Sequence, residues 1–216
     1  LPFTLGMVLI VTLGDLFSGE ERTGMVPILR SSKYGRASLL KCKLGAAVTI
    51  TTVLWILFQL VMLMTIALTY TLRGATCTVL LFNGKPSIYG LNWLTYYLLQ
   101  CAYSYLGTLV FTLFICCLSS ILPLRLSMPL DLTITLLTGI PMNHFCYADQ
   151  AFDLLDKCRA MMPSQLMAAH PTLQVYQSYA FGNVIIQLPY VTAAAILIES
   201  GLLLWFLHCR EGEKAT

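Results

Sequence analysis

Glu199 is the residue whose placement most invites chemistry. Residues 160–198 before it carry no Asp, Glu, Lys or Arg, and the next such side chain after it is Arg210. The interval to Arg210 is about 16 Å along an α-helix, which puts the carboxylate near the middle of a bilayer. A carboxylate at that depth is costly, and it is by default a functional group, here a proton or ion relay or a transport residue. The bland alternative is a structural hydrogen bond to a neighbouring helix, or a protonated and silent acid. Asp131, soon after Arg125, reads differently: it is expected to snorkel to the inner surface or to pair with Arg125. The 8 cysteines show no CxxC pair and no zinc-type spacing. Cys101, Cys116 and Cys117 fall in apolar sequence, where cysteine behaves as a small hydrophobe. Cys77, Cys146 and Cys158 could pair among themselves in a disulfide. His144, Cys146 and Asp149 lie close together but have no fourth ligand, so no metal site is expected. The sequence has no Gly-rich phosphate loop, no His-Glu-x-x-His and no nucleophile elbow. The chain is therefore not expected to be an enzyme, to hydrolyse ATP itself, or to carry a cofactor of its own.

The elements that must position these residues follow from composition. Hydrophobic residues are 57% and charged residues 11% of the 216, and the mean hydropathy is +0.76. A soluble domain carries about 25% charge, and a disordered chain more still. A net charge of +3 provides no basic face for nucleic acid. Charge is missing from residues 44–72, 86–124, 132–148 and 160–198, and a membrane-crossing helix needs about 20 apolar residues. Backbone groups left alone in lipid are too costly for open strands, and the alternation of a membrane barrel is missing. The expected fold is an all-α, polytopic membrane helix bundle forming a single transmembrane domain over 1–216. Its spans lie near 1–17, 44–70, 94–121, 129–145 and 184–207.

Orientation follows from the basic residues of short loops. One side would hold Arg22, Arg30, Lys33, Arg36, Lys41, Lys43, Arg125, Arg210 and Lys214, and the other only Arg73, Lys85, Lys157 and Arg159. The richer side is expected to be cytoplasmic, with the C-terminus inside and the protein multi-pass in the cell membrane. Tyr89, Trp93, Tyr96 and Tyr97 would form the outer aromatic belt of the third span, and Trp205 the inner belt of the last. Trp55 would sit near mid-membrane, where helix packing explains it.

Two loops stand out. The inner loop 18–40 opens with Ser18 at capping-box distance from Glu21, is bent by Pro27 and turns at Ser31, Ser32 and Gly35. It reads either as a short helix lying across the cytoplasmic face or as a basic loop that anchors orientation. In the outer segment 151–162, Ala151, Leu154, Leu155, Cys158, Met161 and Met162 recur at helical spacing. Asp153, Asp156, Lys157 and Arg159 stand between them, which describes an amphipathic interfacial helix ended by Pro163. Residues 164–183 are too polar to span and are expected to cap the bundle or re-enter it from outside.

The inner loop also carries a resemblance. The run Glu21-x-x-Gly24, Pro27-Ile28-Leu29-Arg30-Ser31-Ser32, Lys33-Tyr34-Gly35-Arg36 and Leu40-Lys41-x-Lys43 resembles the permease subunits of bacterial type-2 ABC exporters. The likeness in residues covers about 17–45, and in topology most of the chain. It implies a coupling helix that docks on a separate cytoplasmic P-loop ATPase, where ATP and Mg would bind. Glu20, Glu21, Thr23 and Gly24 would lead into that helix, and Arg30, Ser31, Lys33 and Arg36 would face the ATPase or lipid headgroups. It implies a permease dimer that exports a small molecule, peptide or lipid-like compound by alternating access. It also implies that the five spans are the second to sixth of the family, so that the chain is a piece lacking the first. The charged face of 153–159 departs from the family's outer re-entrant helix. Two rival readings stand beside this one: an ATP-independent, ion-coupled transporter using Glu199, and a membrane scaffold or immunity protein.

Overall fold

The computed structural model describes residues 2–14, 35–70, 81–82, 85–86, 92–122, 124–139, 161–167, 178–181 and 184–213. These are mostly helical: α1 (Pro2–Leu13), α2 (Gly35–Tyr70), α3 (Trp93–Ile121), α4 (Leu124–Gly139), the single turn α5 (Pro163–Leu166) and α6 (Leu188–Glu213). Two short antiparallel hairpins pair β1 (Leu81–Phe82) with β2 (Lys85–Pro86), and β3 (Ser178–Phe181) with β4 (Val184–Gln187).

Three stretches are long and apolar enough to cross a membrane: Leu40–Thr69 in α2, Trp93–Ile121 in α3 and Pro189–Arg210 in α6, with hydropathies of 2.2, 1.9 and 1.8. At 1.5 Å per residue each exceeds the roughly 30 Å of hydrocarbon. The stretches expected as the first and fourth spans appear as shorter apolar helices, Phe3–Leu13 and Leu126–Leu136. Two boundaries differ from the sequence reading. The helix expected from Pro129 begins at Leu124 and keeps Pro129 inside it. The missing N–H there removes one early hydrogen bond, close to the turn whose N–H groups lack helical partners in any case. The helix expected from 184 begins at Leu188, because Val184–Gln187 pairs as a strand. Its β-branched Val-Ile-Ile run favours extended backbone, and Pro189 suits the first helical turn.

The inner loop fares differently. Residues 15–34 lie outside the described residues, so the expected coupling helix and Glu20, Glu21, Gly24, Arg30, Ser31 and Lys33 do too; Arg36 falls in the first turn of α2. Most of the outer amphipathic segment is likewise outside. Pro163, expected to end that segment, opens α5 behind an extended Met162.

α3 is the central helix. Half of its most apolar window is buried, against 6% for α2 and 17% for α6. Leu5, Leu9, Ile10 and Leu13 of α1 meet Phe111, Ile115, Cys116 and Cys117 of α3, with Met167 and Leu207 closing the cluster. The α1 positions recur at three- and four-residue steps, so they share one face. Gly107 lets the chain after α5 lie directly on α3: a Cβ there would overlap the Leu166 carbonyl and stand 2.7 Å from the Met167 nitrogen. Exposed Val53, Leu57, Leu60, Val61, Met64 and Leu68 give α2 an apolar outer face, as a helix bathed in lipid requires.

Candidate functional site

A line of polar groups forms a seam between α2 and α3. Thr51, Trp55 and Gln59 stand four residues apart on α2 and so stack along one face. The two helices run antiparallel, and α3 supplies a partner at each level. Thr51 Oγ1 and Thr112 Oγ1 are 2.9 Å apart and buried. Thr112 donates its own proton to the Thr108 carbonyl at 2.9 Å, so Thr51 is the donor between them. Thr52 Oγ1 lies 3.1 Å from the Tyr105 hydroxyl. Trp55 Nε1 donates to Ser104 Oγ at 3.5 Å, and Ser104 passes its proton to the Met167 carbonyl at 3.2 Å. The far end is held by Gln59 Oε1, which accepts from the Tyr97 hydroxyl at 3.4 Å and the Cys101 thiol at 3.7 Å. Trp55 also tilts against Tyr105 with ring centres 5.0 Å apart. Trp55 thus serves the packing of α2 on α3.

Such bonds hold helices together more than they drive chemistry. Interhelical polar pairs in membranes are worth about 0.6 kcal/mol on average and up to about 1.7. A double-mutant cycle of Thr51→Val and Thr112→Val, read from unfolding in detergent or bicelles, should give a coupling energy in that range. A coupling of zero would mean that this rung is not formed.

Glu199 occupies the middle of the apolar stretch Pro189–Arg210. Ile196, Leu203 and Leu207 flank it at helical spacing, and these are the α6 residues that pack into the interior. The carboxylate is half-buried, and Oε2 lies below the surface with no hydrogen-bond partner. The expected alternative of a structural hydrogen bond to a neighbouring helix is thus not satisfied at that oxygen. At the end of the same helix, Arg210 Nε donates to the Ser120 carbonyl at 3.3 Å and caps the last turn of α3.

Asp131 departs from its sequence reading. It does not snorkel: it is 1% exposed, and neither carboxylate oxygen has a hydrogen-bond partner; the Arg125 side chain lies outside the described residues. The sequence signal that could have found it is a polar stripe, Ser127, Asp131 and Thr135 at four-residue steps on α4, all buried. Its neighbour across the interface is Cys116, which lies within electrostatic range of both Asp131 and Lys43. Cys116 and Cys117 are buried free thiols, and Cys117 donates to the Leu203 carbonyl at 3.5 Å. Among the described residues no group of three or more His, Cys, Asp and Glu could hold a metal. Cys77, His144, Cys146, Asp149 and Cys158 lie outside them.

Long apolar helices around a packed core, with polar groups turned inward, define a helical membrane protein. Comparison of the chain with protein-family models, with curated proteins and with solved structures finds no match.

Proposed function

We propose that this chain is the permease half of an ATP-driven exporter, working as a dimer with a separate cytoplasmic ATPase. The observation that carries the reading is the continuity of α2. It is one helix of 36 residues from Gly35 to Tyr70, or about 54 Å. Its first turns hold Gly35, Arg36, Lys41 and Lys43, the end of the run that resembles the coupling segment of type-2 ABC permeases. Its remainder crosses the membrane and carries one side of the polar seam. A push on the loop before Gly35 therefore enters the bundle through a rigid rod with no intervening hinge. ATP does work in such a machine only by binding one conformation of the assembly better than the other. The low burial of α2 within its own bundle leaves room for a second permease half to pack against it.

The test is purification in mild detergent together with the partner ATPase, followed by an ATPase assay. Co-elution of a P-loop subunit and its activity is expected, and both should be lost in the double variant Arg30→Glu, Lys33→Glu while the permease itself still elutes as a folded species. A permease that purifies alone, indifferent to nucleotide, would rule the reading out. A second reading, transport driven by an ion gradient, draws on the orphan oxygen of Glu199. It requires activity that follows a pH gradient in vesicles without ATP.

A further inference from the structure

Asp131 is used neither by the polar seam nor by the proposed coupling route. Its two carboxylate oxygens are enclosed without a hydrogen bond, and the helix that carries it packs against α1, α3 and α5. The described residues of α1 and α5 have no titratable side chain. α3 contributes the Cys116 thiol, within electrostatic range of Asp131. The neighbouring hydroxyls are already engaged: Thr135 donates to the Asp131 backbone carbonyl at 2.7 Å, and Ser127 also has a partner.

An ionised carboxylate enclosed in this way costs several kcal/mol, a cost removed only by a positive partner. A hard metal cation would need a cage of six or more oxygens, and the group that α3 brings to Asp131 is a thiol. A proton needs only the carboxylate itself. We propose that Asp131 is a proton-binding site, buried between α3 and α4. In the loaded form one oxygen holds the proton as a neutral carboxylic acid. In the unloaded form the proton has passed to water and the carboxylate is left charged. The site is independent of the ATPase reading, and its test uses this chain alone.

The experiment is infrared spectroscopy of the full chain in phosphatidylcholine–phosphatidylglycerol vesicles, in the Glu199→Gln background so that the other membrane acid is silent. A carboxylic C=O band is expected at acid pH in the difference between this protein and the same protein with Asp131→Asn added, where the other eight carboxyl side chains and the lipid esters cancel. It should fall by about tenfold per pH unit above its midpoint. If the asparagine variant does not fold, Asp131 is followed directly by mapping its N-acylurea adduct with dicyclohexylcarbodiimide, which forms only on the protonated acid and should decline over the same pH range. A missing band and adduct at acid pH overturn the proposal. So does a band that no accessible pH removes, which is a silent acid, and so does loss of the band on adding sodium at fixed pH, which is a metal-cation site.

Discussion

Replacing Gly107 by alanine is expected to destabilise the protein by about 1–3 kcal/mol, the usual cost of overfilling a packed interior. In an exposed helix the same change would gain about 1 kcal/mol from helix propensity. The sign is reversed because the added methyl meets backbone, the Leu166 carbonyl and the Met167 nitrogen, and not the end of a flexible side chain. Relief requires α5 to lift off α3. That movement breaks the bond from Ser104 to the Met167 carbonyl and withdraws the Met167 side chain from the core. The matched control is Gly201→Ala, where the new methyl meets nothing within 4 Å and should leave stability unchanged or slightly raised. Thermal midpoints in one detergent decide the matter. If Gly107→Ala melts with Gly201→Ala, α5 does not rest on α3.

The second large effect is functional. Glu199→Gln is expected to lower transport at least about tenfold, or about 1.4 kcal/mol at the rate-limiting step, with helix content and thermal midpoint preserved. Glutamine keeps the shape and polarity of the side chain but can carry neither charge nor exchangeable acid proton. A structural role would be rescued by the amide; a role in binding or relaying a proton or cation would not. Full transport by the glutamine variant would reduce Glu199 to a tolerated acid in the middle of α6.

Much of this architecture is legible without coordinates, and the parts that are not share a cause. Charge-free runs locate α2, α3 and α6, since nothing but an apolar helix can occupy 20 or so such residues in lipid. The midpoint position of Glu199 follows from counting to Arg210. The start of α4 was hidden by Pro129, which marks a boundary more often than it sits inside a helix. The burial of Asp131 is not legible in the sequence, because its side chain is enclosed by contacts that only the fold brings together. The seam is half visible: the four-residue repeat of Thr51, Trp55 and Gln59 can be read directly, but its register against Ser104 and Thr112 cannot. The segment that suggests an ATPase partner, Glu20 to Lys33, lies outside the described residues, so the resemblance there rests on sequence alone.

The core cluster has a consequence for how the protein is made. It joins Leu5, Leu9, Ile10 and Leu13 of α1 to Leu207 near the end of α6. Synthesis at roughly 5–20 residues per second separates these side chains by about 10–40 s. For that interval α1 is held only by whichever helices have followed it, and its final neighbours are incomplete. A ribosome that stalls before α6 releases a chain with most of its apolar helices but an unfinished core. Membrane quality control can thus judge this bundle by whether α6 has docked.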